Sequence, residues 1–66
     1  MSKKHFEAIA AEIKELYQRA TRHESPDEKT GVCNVARSLA RVFSEFNPRF
    51  DRHRFLSACG LQEDEI

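Results

Sequence analysis

Apolar side chains recur at steps of three and four along two long stretches of this chain. Phe6, Ile9, Ala10, Ile13, Leu16, Tyr17 and Ala20 form the first series, the spacing that lines one face of a helix. Glu7, Lys14, Glu15, Gln18 and Arg22 lie on the opposite face. Glu15 and Arg19 stand four apart as a favourable pair, and Ala8 and Ala11 add helix propensity. With Ser2 as its cap, the pattern predicts a helix from about residue 3 to about residue 22.

The second series follows a full start signal. In Ser25-Pro26-Asp27-Glu28 the serine caps, the proline occupies the first helical position, and Glu28 closes a capping box. Val32, Val35, Ala36, Leu39, Val42, Phe43 and Phe46 then continue the helical spacing. Gly31 weakens the first turns, so the regular helix is expected from residue 26 or, restarting, from Thr30. Its end is fixed near residue 46, because Pro48 disfavours helical geometry at Asn47.

A third, short helix is marked at both ends. Asp51 is an N-cap, with Phe50 and Phe55 at the two positions of a hydrophobic staple. Gly60 falls where a left-handed residue closes a helix, and Leu56 and Leu61 are the apolar pair of a Schellman motif. The helix is expected over about residues 52–59 and would not persist alone. No stretch alternates as strands do. The expectation is an all-α, compact three-helix fold in one small domain, with residues 62–66 as an acidic, frayed tail.

Sixty-six residues bury only about 60% of their unfolded surface, so one small core is all the chain supports. Domains of this size often gain stability by oligomerising, which leaves a homodimer open. The N-terminus lacks the apolar stretch of a signal peptide, and no run is long enough to span a bilayer. The expected setting is therefore cytoplasmic, without a membrane partner, and Cys33 and Cys59 are expected to stay reduced.

Net charge is zero, but unevenly spread. Residues 30–60 hold five arginines, no lysine, and only Glu45 and Asp51 as acids. Arg49, Arg52, His53 and Arg54 gather around the start of the third helix, where acids would suit the helix dipole better. Arg37 and Arg41, one turn apart on the second helix, extend this set. The functional account is a face for phosphate or for a partner's carboxylates. Folding offers another: Arg41 pairs with Glu45, Arg52 or Arg54 folds back on Asp51 or the acidic tail, and the rest are solvated.

Other chemistry finds little material. His5, His23, His53, Cys33 and Cys59 show neither a C-x-x-C pair nor H-x₃-H spacing, so no metal site is expected. No glycine-rich phosphate loop, nucleophile elbow or Ser/His/Asp set is present, which points away from an enzyme and implies no cofactor. A helix-turn-helix reading, with the third helix as reader, meets a long turn, a short helix and a neutral domain.

Val35-Ala36-Arg37-x-Leu39-Ala40-x-x-Phe43, followed by Asn47-Pro48-Arg49-Phe50-Asp51-Arg52-x-Arg54-Phe55-Leu56-x-Ala58-Cys59-Gly60, resembles the C-terminal signature of small uncharacterised helical proteins carried by bacteriophages, plasmids and similar elements. The likeness covers about residues 32–60. It implies a bacterial or phage setting and a cytoplasmic accessory role, and supplies no catalytic residues. The resulting expectation is a non-enzymatic interaction module with a protein partner, nucleic acid being the less favoured alternative.

Overall fold

The computed structural model describes residues 2–66, which form three helices and a closing turn: α1 (Lys3–Arg22), α2 (Pro26–Phe46), α3 (Arg52–Ala58) and a 3₁₀ turn over Glu63–Glu65. No strand is present among the described residues. The all-α three-helix fold is thus as the periodicity predicts. The helix limits agree to within a residue, α3 ending at Ala58 with Cys59 as its cap.

Each helix end has an identifiable cause. The backbone N–H of Ser2 donates to Nδ1 of His5 at 3.0 Å, an imidazole standing where a capping box usually has a carboxylate. α1 closes with Glu24 N–H donating to Thr21 C=O and Ser25 N–H to Ala20 C=O, the bond pair of a Schellman motif. Glu24 occupies the left-handed position at φ 52°. The same motif closes α3, where Gly60 N–H reaches Ser57 C=O and Leu61 N–H reaches Leu56 C=O. There Gly60 has φ 87°, as its residue type foretold.

Of the two starts expected for α2 the first holds, the helix being continuous from Pro26 through Gly31; the capping box needs correction. Ser25 Oγ accepts from Glu28 N–H at 3.4 Å, but the reciprocal half of the box is not made. Ser25's own N–H is already committed to the end of α1, so the Glu28 carboxylate has no donor to return to.

The three helices meet around Ala10, Ile13, Tyr17, Cys33, Ala36, Ala40, Phe55, Leu56, Cys59 and Leu61. α1 contributes Ala10, Ile13, Tyr17 and Ala20 to the buried residues, and α2 only the small side chains Cys33, Ala36 and Ala40. Four phenylalanines then seal one end. Phe43 sits edge-on to Phe6, Phe50 and Phe55 with ring centroids 5.0, 5.5 and 5.6 Å away, geometry that favours aromatic pairs. The staple of α3 is formed, Phe50 and Phe55 lying 5.5 Å apart.

Three residues expected in the core are outside it. Leu16, Val35 and Phe46 are 46%, 55% and 85% exposed. They satisfy the helical spacing, but α3 is only seven residues long and packs against one side of the α1–α2 pair, leaving these positions uncovered.

Residues 62–66 are not a frayed tail. After Leu61 enters the core, the Glu63–Glu65 turn brings Glu65 back across α1 and α2. The Tyr17 hydroxyl donates to Glu65 Oε1 at 2.6 Å, Gln62 N–H donates to the same oxygen at 2.8 Å, and Lys29 Nζ lies 3.8 Å from Oε2. Arg37 also donates to the Glu65 carbonyl.

Candidate functional site

Asp51 organises the cationic region, and it does so as a cap. Its Oδ1 accepts the Arg54 N–H at 3.0 Å, so the chain's own carboxylate fills the anion-favouring start of α3. Whatever the arginines bind, they bind through side chains. Arg49, Arg52, His53 and Arg54 are all exposed. Arg49, Arg52 and Arg54 make no ion pair among the described residues.

The six basic residues singled out in the sequence separate into three groups. Arg49 and Arg54 border a groove between the start of α1 and the 47–58 segment, with Lys3 nearby. Phe6, Ala10, Phe50, Phe55 and Ala58 line its floor, and Glu7 and Asp51 add two acids. Arg52, His53 and Arg37 border a second depression, floored by Ala40, Phe50, Leu56 and Ile66. Arg41 borders neither. It pairs with Glu45 at 3.2 Å, an exposed i,i+4 contact of small energetic weight.

Adjacency in sequence misleads here for a simple reason. Successive residues of a helix point about 100° apart, so Arg52, His53 and Arg54 cannot share one direction. His53 is turned toward the C-terminal turn, its Nε2 lying 3.2 Å from Glu63 Oε2. Arg37 is held by the Glu65 carbonyl and by Asn34 Oδ1 at 2.7 Å, so its main tie is structural. Among the described residues neither Arg52 nor Arg54 makes the side-chain pair with Asp51 or the acidic tail that the folding account expected; His53 meets Glu63 instead.

Sequence reasoning missed the apolar floor of the first groove. Phe6 and Phe50 have core spacing, and nothing in their periodicity says that a cleft beside Arg49 and Arg54 leaves them half-buried, with Phe55 buried beneath. It missed the Glu65 cluster as well. One signal was available: Tyr17 lies on the core face of α1, and a buried phenol needs a partner for its hydroxyl.

The electrostatics of that cluster are those of a structural clasp. The Tyr17 hydroxyl, with Gln62 N–H and Lys29, holds the Glu65 carboxyl below its ordinary value. Burial raises the Tyr17 phenol, and the adjoining Glu65 carboxylate reinforces the shift. Burial also raises the Cys33 thiol, which donates to Glu65 Oε2 at 3.7 Å. Cys59, fully enclosed, is pushed up to about 11 by burial. Both cysteines are free thiols, and neither environment favours a reactive thiolate.

Among the described residues, no three His, Cys, Asp or Glu side chains gather as metal ligands do. No helix among them is long and apolar enough to cross a membrane. No family model matches the chain, nor does any curated protein or solved structure.

Proposed function

We propose that this chain is a small non-enzymatic binding module that takes an acidic or phosphate-bearing segment of a protein partner between Arg49 and Arg54. In this reading it works in the cytoplasm as an accessory or host-modulating factor of a phage or other mobile element. One observation carries the binding site: two exposed arginines that make no ion pair among the described residues flank a groove lined by Phe6, Phe50 and Phe55, in which they and Lys3 outnumber the acids Glu7 and Asp51. A guanidinium presents its donors as a planar fork that matches carboxylate or phosphate oxygens. An aromatic floor beside it gives the same segment an apolar anchor point, the combination that makes binding hot spots. Arg52 lies around the helix from this groove and adds long-range attraction for the same partner.

A DNA-reading role draws on the same exposed run, Arg52, His53 and Arg54 in the first turn of α3. It has less support, since the seven-residue α3 commits Phe55 and Leu56 to the core and the chain carries no net charge to hold a phosphate backbone.

Titration of isotopically labelled protein with a glutamate-rich peptide carrying one phenylalanine tests the proposal. Amide shifts are expected at Phe6 and across residues 49–55, and should vanish in Arg49→Glu/Arg54→Glu while helical circular dichroism is retained. Equal shifts in that variant would refute the groove. Binding of duplex DNA instead, with log affinity falling steeply against log salt, would favour the DNA reading.

A further inference from the structure

The apolar surface of α2 is wider than its own chain uses. At about 100° per residue, Val42, Val35, Phe46, Leu39, Val32, Phe43, Ala36, Ala40 and Cys33 sweep roughly half the helix circumference, whereas packing against a core takes a stripe of about 100°. Ala36, Ala40 and Cys33 are buried. Val32, Leu39 and Phe43 pack partly against the core, and the far edge beyond them, Val35, Val42 and Phe46, includes the two most exposed large apolar side chains. On α1, Leu16 borders the same side. Together with Ile13, Ala20, Gly31 and Val32 it lines an open apolar groove along the α1–α2 seam. That groove shares no residue with the Arg49–Arg54 groove.

We propose that this open seam docks a second copy of the chain, giving a two-fold symmetric four-helix dimer with α3 of each copy on the outside. Two observations favour a second copy as the occupant. The chain has zero net charge, so copies do not repel. The groove has Arg19, which also makes an exposed pair with Glu15 at 3.7 Å, and His23 on its α1 side and Glu28 on its α2 side. A two-fold axis running along the helices places α1 of one copy over α2 of the other, and so sets Arg19 against Glu28 across the interface. Such self-complementarity is what an isologous contact requires.

Sedimentation equilibrium of the intact chain from about 1 µM to about 500 µM tests this. A monomer–dimer equilibrium is expected, weakened at least roughly 30-fold by Leu16→Glu/Val35→Glu, with helical circular dichroism unchanged because both positions are already exposed. A charge swap provides a second route that leaves the apolar positions intact. Arg19→Glu and Glu28→Arg should each weaken the dimer about twofold to fivefold, and the two together should restore it. A monomer at every concentration would overturn the proposal, as would a dimer indifferent to Leu16→Glu/Val35→Glu. A swap that fails to restore association would overturn the two-fold placement.

Discussion

The hydroxyl of Tyr17 and the carboxylate of Glu65, 48 positions apart in sequence, meet at 2.6 Å. That bond ties the last turn of the chain to α1 and, through Lys29, Cys33 and Arg37, to α2. Removing the hydroxyl with Tyr17→Phe takes away a hydrogen bond to a charged acceptor, a loss of roughly 1–2 kcal/mol. Thermal unfolding should show the drop as a midpoint lower by several degrees, and an unchanged midpoint would remove the clasp from the account.

Acid should expose the same contact. The folded state holds the Glu65 carboxyl below its ordinary value of 4.5, so the carboxylate form is favoured by folding. Its contribution is complete above that value and is lost as pH falls through the folded one. Glu65→Gln abolishes this dependence. Between about pH 5 and pH 3, denaturant midpoints of the parent chain should fall more steeply than those of the variant. Parallel curves would contradict the assignment.

How much of this could be read in advance depended on whether a position announces itself by residue type. Asp51 and Gly60 did, because few other residues suit an N-cap or a left-handed helix end, and α3 was legible at both ends. Glu24 did not. It performs the same service at the end of α1 as Gly60 does for α3, but glutamate carries no such signal. Glu65 stood in an acidic run that read as solvated, and its partners come from α1 and α2. Periodicity placed Leu16, Val35 and Phe46 on apolar faces correctly, yet it cannot tell a face covered by the same chain from one left open. The arginines were legible as a set, but their division between two grooves follows from helix rotation and the fold.

Glu24 therefore offers a stabilising substitution. A side-chain-bearing residue in the left-handed region costs about 1–2 kcal/mol, partly offset by the extra unfolded-state entropy of glycine. Glu24→Gly should raise stability by about 0.5–1 kcal/mol, measured by chemical denaturation. A decrease would mean that φ 52° is not under strain.

Cys59 should act as an internal reporter of unfolding. It is fully buried and its thiol is raised to about 11, so at pH 8 it is both inaccessible and protonated. Alkylation should be far slower than for a free thiol and should accelerate with denaturant in step with loss of helicity. Rapid labelling of native protein would contradict the packing of α3. Cys59→Ser, which buries a hydroxyl in a thiol's place, should cost roughly 1–3 kcal/mol.

The binding role proposed for Arg49 and Arg54 is tested most directly by reversing charge on both sides of the contact. Calorimetric titration would compare the parent chain and Arg49→Glu/Arg54→Glu against a glutamate-rich peptide and its lysine-substituted counterpart, each with the same phenylalanine anchor. The account predicts that the parent chain binds only the acidic peptide and that the variant prefers the basic one. Indifference of both proteins to peptide charge would contradict it.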